Sequence, residues 1–390
     1  MTVYVEKPEI NIREKLTELE QKTGQAGKTI LAAHSPQEVF QYINAGRRNV
    51  LINGNFEIAQ RGTSGTYTGG IWQYLSPDRW MGHFDSTPTG ATHHVIAGGP
   101  NAGSNYFAEV RGPSSGGNGN CYFGQRIESR NLANIRYQNA MVLSGWVKRS
   151  GSSTNTTLGI NIICPTATDN YAGYTTHGAP FRGGSISGDG DIQRNGNLTL
   201  SSPDVWYYFT AIRHDPVQLT NFDKGMQLYF SMQGVNGTDD KFQFAQMQLE
   251  AGTVATPFEH RIYAEELELC KRYFQKFGGG ANKTIAHVYA PSTSELALLF
   301  RFAPEMRVTP SVDWSSATTD MTYRYNSNNS QEFDRNDLSN DGSVGQVTPQ
   351  GGSMWINGWS HGQTTGDGGE IRVYGYTPEQ FLFIQFDSEL

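Results

Sequence analysis

At 390 residues the chain is long enough for two or more domains with cores of their own. Its net charge of −7, without a run of Lys and Arg, argues against a nucleic-acid surface, and no long apolar stretch or signal-like N-terminus points to membrane insertion or export. A protein made in a cytosol and remaining soluble is expected. Charged residues make up only 17% of the chain, against 45 Gly and 12% aromatics, a balance that suits many short strands joined by tight turns. Cys121, Cys164 and Cys270 are odd in number and lack CxxC spacing, so buried thiols are expected, not a disulfide framework or a zinc site.

Residues 10–23, "INIREKLTELEQKT", set Ile12, Leu16 and Leu19 at i, i+4 and i+7 among charges, a narrow apolar stripe on a short helix. Such a helix scarcely forms alone. The stripe either coils with other copies, where its Ile and Leu positions lean towards three or four strands, or docks on its own subunit. Ser35-Pro36-Gln37-Glu38 is a capping box with Pro at the first helical position, followed by an apolar face of Val39, Phe40 and Ile43 and by Gly46 at the C-cap. Residues 1–48 therefore read as a helical stem.

From Asn49 the texture changes. "MVLSGWVK" (141–148), "TLGINIIC" (157–164), "WYYFTAIR" (206–213), "MQLYFSMQG" (226–234) and "FQFAQMQLE" (242–250) are β-branched or aromatic runs bounded by Gly, Asn, Ser and Pro. No helical period separates them, which disfavours βαβ units and a nucleotide-binding parallel sheet. The fold class expected is mainly β: after the stem, an antiparallel jelly-roll β-sandwich over residues 49–262.

The closing strand of that sandwich runs into "IYAEELELCKRYFQKFGGG", where Leu267, Cys270, Tyr273, Phe274 and Phe277 share one helical face. A linking helix over 263–280 is expected, ending at the glycines. Further strand-like runs then predict a smaller C-terminal antiparallel β domain over 281–390, with "NSNNSQEFDRNDLSNDGS" as a long polar loop.

Five motifs in order, "NVLINGNFEIAQRGTS", "SPDRWMG", "GQRIES", "LSGWVK" and "QLEAGTVATPFEHRIYAEELELCKRYFQKF", resemble bacteriophage tail fibre and receptor-binding proteins that carry a carbohydrate-binding-module-like jelly roll. "FRFAPEMRVTPSV" (300–312) resembles a strand-turn-strand piece of such fibre tips. The resemblance implies a homotrimeric virion protein, assembled in the host cytoplasm. Its stem would join phage baseplate or tail proteins, and its distal β domain would meet host cell-surface polysaccharide. It also implies a structural calcium near "NGNFE" and the closing strand, with Glu57 and Glu250 as carboxylate ligands. Gln248 and Glu250 stand where an Asp pair is expected, a departure from the family pattern.

Within the motifs, Trp80 and Trp146 read as core residues, Pro257-Phe258 as a pin burying its ring at the domain exit, and Arg79 beside Asp78 as either pairing across strands or forming a solvated pair worth little. No GxSxG, HExxH, P-loop or Rossmann fingerprint is present, "GGGANKT" lacks a phosphate-loop ending, and His93-His94 would point to opposite strand faces. Asp189 and Asp191 lie in a Gly-rich turn. A non-enzymatic glycan binder is expected, with a glycan-depolymerising tail protein and a connector binding only other virion proteins as alternatives. Among the distal aromatics Trp314, Tyr323, Tyr325, Tyr374 and Tyr376, the segment "MWINGWSHGQ" is preferred. It supplies Trp355 and Trp359 as stacking platforms and Asn357, His361 and Gln363 as hydroxyl partners.

Overall fold

A computed structural model describes residues 47–390 apart from 69, 86–89, 115–118, 152–155, 178–179, 182–183, 187–189, 192–196, 236, 280–283, 315–320, 327–328, 334–343, 358–364 and 374–381. The chain divides into two compact units, Met1–Val50 and Leu51–Leu390. Of the first, residues 47–50 are described; the stem helices and their coiling lie outside the described residues. The second unit is mainly β. Among the described residues no helix is long and apolar enough to cross a membrane.

The first β assembly runs through β1 (Ser64–Thr66), β2 (Gln73–Tyr74), β3 (Met81–Phe84), β4 (Thr92–Ala97), β5 (Tyr106–Arg111) and β6 (Gly119–Ile127). After the short helix α1 (Ala133–Arg136) come β7 (Ala140–Ser150), β8 (Thr157–Ala167), β9 (Asn170–His177), β10 (Gly184–Ile186) and β11 (Gly190–Asp191), then β12 (Asn197–Thr199), β13 (Tyr207–His214), β14 (Met226–Val235) and β15 (Lys241–Ala251). One sheet has the order β1-β4-β5-β15-β7-β13-β10-β11; the other is β12-β8-β14-β6-β3-β2, with β9 beside β8. Alternation along each strand sends one set of side chains between the sheets. Phe123 of β6 meets Phe244 of β15 at 5.1 Å between ring centroids, Phe230 of β14 meets the same ring at 4.9 Å, and Trp80 stacks on Phe123 at 5.0 Å. The two sheets are thus the layers of a sandwich sealed by aromatic rings.

The sequence motifs meet at one seam of this sandwich. Asn53, in the left-handed region at φ 58°, donates its amide to the carbonyls of Ile58 (2.8 Å) and Asp78 (2.9 Å) and accepts from the Ile58 N–H at 3.0 Å. Its own carbonyl accepts from Trp80 Nε1 at 3.0 Å. Gln125 forms a reciprocal pair with the backbone of Ile52, at 2.7 and 2.8 Å. These buried amides satisfy backbone groups that no ladder reaches.

Helix α2 (Tyr263–Lys271) follows, with Glu265 and Glu266 in its first turn and Lys271 in its last, the charge order that its dipole favours. Leu267 and Cys270 pack with Ile52, Ile58 and Tyr273. The helix is shorter than the 263–280 expected, because Phe274–Gly279 forms a strand, β16. The reason is a pairing partner distant in sequence: Phe274 opposes Asp387 and Phe277 opposes Ile384 in β25 (Leu382–Asp387). Strand alternation then sends Phe274 and Phe277, an odd number of positions apart, to opposite faces. Phe274 lies under the Arg61 guanidinium at 3.8 Å, while Phe277 packs on Phe300 and Phe386 at 5.6 and 5.7 Å.

The second assembly continues with β17 (Thr284–Ser292), β18 (Glu295–Arg301), β19 (Ser311–Trp314), β20 (Met321–Asn326), β21 (Asn329–Phe333), β22 (Val344–Thr348), β23 (Gly351–Asn357) and β24 (Gly368–Val373). The sheet β16-β25-β19 and the sheet β21-β20-β24-β17-β18-β23-β22 share a core that includes Leu296, Leu298, Phe300, Phe302 and Phe386. From β25 the chain passes back to the sandwich. Glu389 pairs with Arg79 and, at 3.4 Å, with Arg61; the Leu390 carbonyl accepts from Arg126; Arg307 donates to the carbonyls of Ser388 (2.8 Å) and Glu389 (3.0 Å).

Three expectations for motif residues change here. Asp78 and Arg79 are not a solvated pair: each is 1% exposed, and they take different partners. Arg79 stacks on Tyr273 at 3.5 Å, and Asp78 accepts from Gln60 N–H at 2.9 Å and its amide at 2.6 Å. Burial raises the Asp78 pKa, against the lowering influence of Arg61. Trp146 is half-buried on the outer side of β7, not in the core, since its neighbours Gly145 and Val147 take the inward positions. Phe258 is likewise only half-buried, edge-on to His260 at 5.0 Å. Trp80, at 0% exposure, is core as expected.

Candidate functional site: an aromatic band on an open sheet face

On β3, β6 and β14 the residues that immediately precede Phe84, Phe123 and Phe230 alternate to the opposite face of the sheet: His83, Tyr122 and Tyr229. His83 opposes Tyr122 across β3 and β6, and Tyr229 opposes Gly124 across β14 and β6. Gly124 is required there, because a Cβ would come within 2.6 Å of the Tyr229 Cβ. Its absence lets the Tyr229 ring lean over β6 to 5.8 Å from Tyr122.

Trp72, just before β2, closes the group. Its ring lies 5.4 Å from His83, 6.0 Å from Tyr122 and 5.7 Å from Tyr229. His83 and Tyr122 are themselves 5.4 Å apart. Four rings thus run across the face, and beyond them Tyr174 of β9 stands 57% exposed. Trp72, His83 and Tyr122 are half-buried, with part of each surface open, and Tyr229, 9% exposed, is buried against Trp72 and Tyr122.

Polar groups border the rings. Asp85 accepts from Tyr122 Oη at 2.9 Å and Asn120 Nδ2 at 2.8 Å, and lies 3.6 Å from His83 Nδ1. On β8, Asn161 donates to Ser231 Oγ at 3.0 Å. Burial, followed by the Asp85 carboxylate, pushes the Tyr122 phenol well above its usual range; burial, then Tyr174 and Asp85, raise Tyr229. Both phenols are therefore hydrogen-bearing donors at neutral pH. Flat rings with amide, hydroxyl and carboxylate groups at their edges suit a ligand with apolar C–H faces and many hydroxyls.

These residues do not stand out among the sequence motifs. A signal was present: "CYF" in β6 and "LYF" in β14 each place two aromatics in succession, and strand alternation must send one of each pair outwards.

Of the distal candidates, Trp355 is half-buried and opposes Ala297, which opposes Tyr289, 38% exposed. Since Leu296, Leu298 and Phe300 fill the core, this row lies on the other face of the sheet. Asn357 opposes Glu295, at a register position on the same face as Trp355. Trp359, His361 and Gln363 lie outside the described residues, as do Tyr374 and Tyr376. His93 and His94 do fall on opposite faces: His93 is 1% exposed, and His94 is half-buried beside Thr92 Oγ1 at 2.8 Å.

The calcium expectation meets an unsuitable donor set. Glu57 accepts from Asn55 and Asn105 amides at 2.8 and 2.9 Å and lines a small hollow with Asn53, Phe258, Arg261 and Glu266, which Glu250 does not line. At the closing strand, the Gln248 amide nitrogen faces Glu250 Oε1 (2.9 Å), Thr256 O and Oγ1 (both 3.2 Å) and Pro257 O (3.4 Å). The Glu259 N–H donates to Gln248 Oε1 at 2.8 Å. A backbone N–H can only donate, so it fixes the amide with its NH2 towards the oxygens. A neutral donor thus occupies the place where those oxygens converge, and the residues do not fit a calcium ion there. Among the described residues no three His, Cys, Asp or Glu side chains gather as a metal-holding group.

No family model and no curated protein matches the chain. Among solved structures, the chain is similar to a CBM4 carbohydrate-binding module, with 15% identity over 51% of this chain and 98% of that one and a TM-score of 0.27. It is also similar to the CBM22 tandem domain of Paenibacillus barcinonensis Xyn10C, with 11% identity over 88% and 98% and a TM-score of 0.26. A third is a Stig cyclase from Fischerella sp. TAU, with 12% identity over 53% and 100% and a TM-score of 0.33. The neighbours thus include carbohydrate-binding modules, at a distance too great to bear on function.

Proposed function

We propose that the protein binds glycans through the aromatic band on the open face of the second sheet, and that it does so as a non-enzymatic phage tail fibre attaching to host cell-surface polysaccharide. The observation carrying the binding reading is the juxtaposition of Trp72, His83, Tyr122 and Tyr229, with Tyr174 exposed beyond them and Asp85 and Asn120 at their edge. Aromatic stacking tolerates a repeating polymer, and the edge groups choose among hydroxyl patterns. The tail-fibre role comes from the motif resemblance, as do the trimer and the attachment of the stem to baseplate or tail proteins. In a trimer, weak single sites would act together through effective concentration.

The test is affinity electrophoresis of the full chain against purified bacterial surface polysaccharides. Trp72→Ala and Tyr174→Ala should each weaken retention by about 1–3 kcal/mol, a stacking-sized loss taken from base–aromatic contacts, without releasing reducing ends in wild type or variant. Retention by both variants equal to wild type would remove the band from the account, and release of reducing ends would favour the depolymerase.

A further inference from the structure

The outer face of the first sheet carries a different chemistry. Phe242, Phe244, Val110 and Val147 point into the core, so the alternate residues of β5, β15 and β7 lie outside. One register row reads Arg111, Lys241, Ser150 and the next reads Glu109, Gln243, Lys148. With strands about 4.8 Å apart, the three cations are near neighbours on one surface.

The carboxylate among them is already engaged. Glu109 is 2% exposed and accepts from both Arg111 and Gln243. Lys148 Nζ is held over Trp206 at 5.0 Å and Phe107 at 5.9 Å, and these two rings meet edge to face at 5.7 Å. Among the described residues neither Lys148 nor Lys241 forms an ion pair. Trp146 and Tyr208, 5.3 Å apart, continue the surface towards β13. On a chain of net charge −7, three cations beside one buried carboxylate make a locally positive patch edged by aromatic rings.

We propose that this face is a second glycan site, and that its ligand is an acidic polysaccharide carrying carboxylates along the chain. The ammonium groups of Lys148 and Lys241 and the guanidinium of Arg111 meet the carboxylates, and Phe107, Trp206 and Trp146 offer their rings to the sugar C–H faces. The charge complementarity selects a polyanion, and the rings distinguish a sugar chain from a bare row of anions. The proposal extends the glycan-binding reading to other residues, on the opposite side of the sandwich from Trp72 and Tyr122, so the two can fail separately.

Polygalacturonate is the probe, with neutral pullulan and double-stranded DNA as comparators, in affinity electrophoresis of the full chain at about 0.02 and 0.3 M salt. The wild type should be retarded by polygalacturonate alone, with retention falling at least about tenfold at the higher salt. Lys148→Gln/Lys241→Gln, with near-UV dichroism unchanged, should abolish retention, and Trp72→Ala should leave it intact. Absence of retention, equal retention by pullulan or DNA, or full retention by the folded double variant would each overturn the proposal. So would a change in sedimenting mass caused by the double variant, which would assign the face to contact between copies.

Discussion

At the scale of single residues, the core of the sandwich holds a group with a measurable signature. His93 sits edge-on to Tyr67 at 4.3 Å and to Phe123 at 5.2 Å, and burial, reinforced by His94, lowers its pKa to about 3. The unfolded chain therefore binds a proton at His93 below about pH 6.5 that the folded chain refuses until about pH 3, and stability is lost as pH falls through that window. Between about pH 6.5 and 4.5 the loss should reach about 2–3 kcal/mol, read as a falling urea midpoint that His93→Gln flattens relative to wild type. Gly82 belongs to the same spot: a Cβ there would lie 2.0 Å from Tyr67 Oη and 2.4 Å from His93 Nε2. Gly82→Ala should accordingly cost about 1–3 kcal/mol by overpacking, measured by thermal unfolding. Residue roles were unevenly legible in the sequence. The inward placing of Trp80 followed from the tendency of large aromatics to be buried, whereas Trp146, within strand β7, faces outwards because register decides the face and one residue's shift reverses it. The Tyr122 and Tyr229 rings were hidden for the same reason.

At the scale of elements, long-range pairing overrode local preference. The charged run after Ile262 has a helical period, and nothing local to it signals that Phe274–Gly279 will pair with a strand more than a hundred residues later. The last residue of that strand, Asp387, and the residues after it, 388–390, convert the pairing into an anchor through Arg61, Arg79 and Arg126. Arg79 and Glu389 are 1% and 5% exposed, so removing the cation leaves a buried carboxylate with Arg61 as its one ion-pair partner among the described residues. Arg79→Met should cost about 3 kcal/mol in urea unfolding, and adding Glu389→Gln should recover part of the loss. The closing strand allows a second element-scale prediction. With the Gln248 amide among the oxygens of Glu250, Thr256 and Pro257, added calcium or a chelator should leave the thermal midpoint of the full chain unchanged. A clear rise with calcium would show that the ion displaces the amide.

At the scale of the whole molecule, composition and turn spacing made the antiparallel β character visible, because Gly-bounded aromatic runs without intervening helices leave few other architectures. The preferred glycan surface was not visible in the same way. Tryptophans beside an Asn-Gly turn drew attention to the distal segment, while the aromatic band is assembled from β3, β6, β14 and the approach to β2, pieces adjacent only after folding. The proposed function places the polysaccharide on this band. Carbene footprinting of the full chain, with and without a polysaccharide whose retention Trp72→Ala weakens, tests this directly. Protection should concentrate in peptides covering 71–84, 119–126 and 170–177. Protection confined to residues 344–373, with the band labelled equally in both samples, would contradict it.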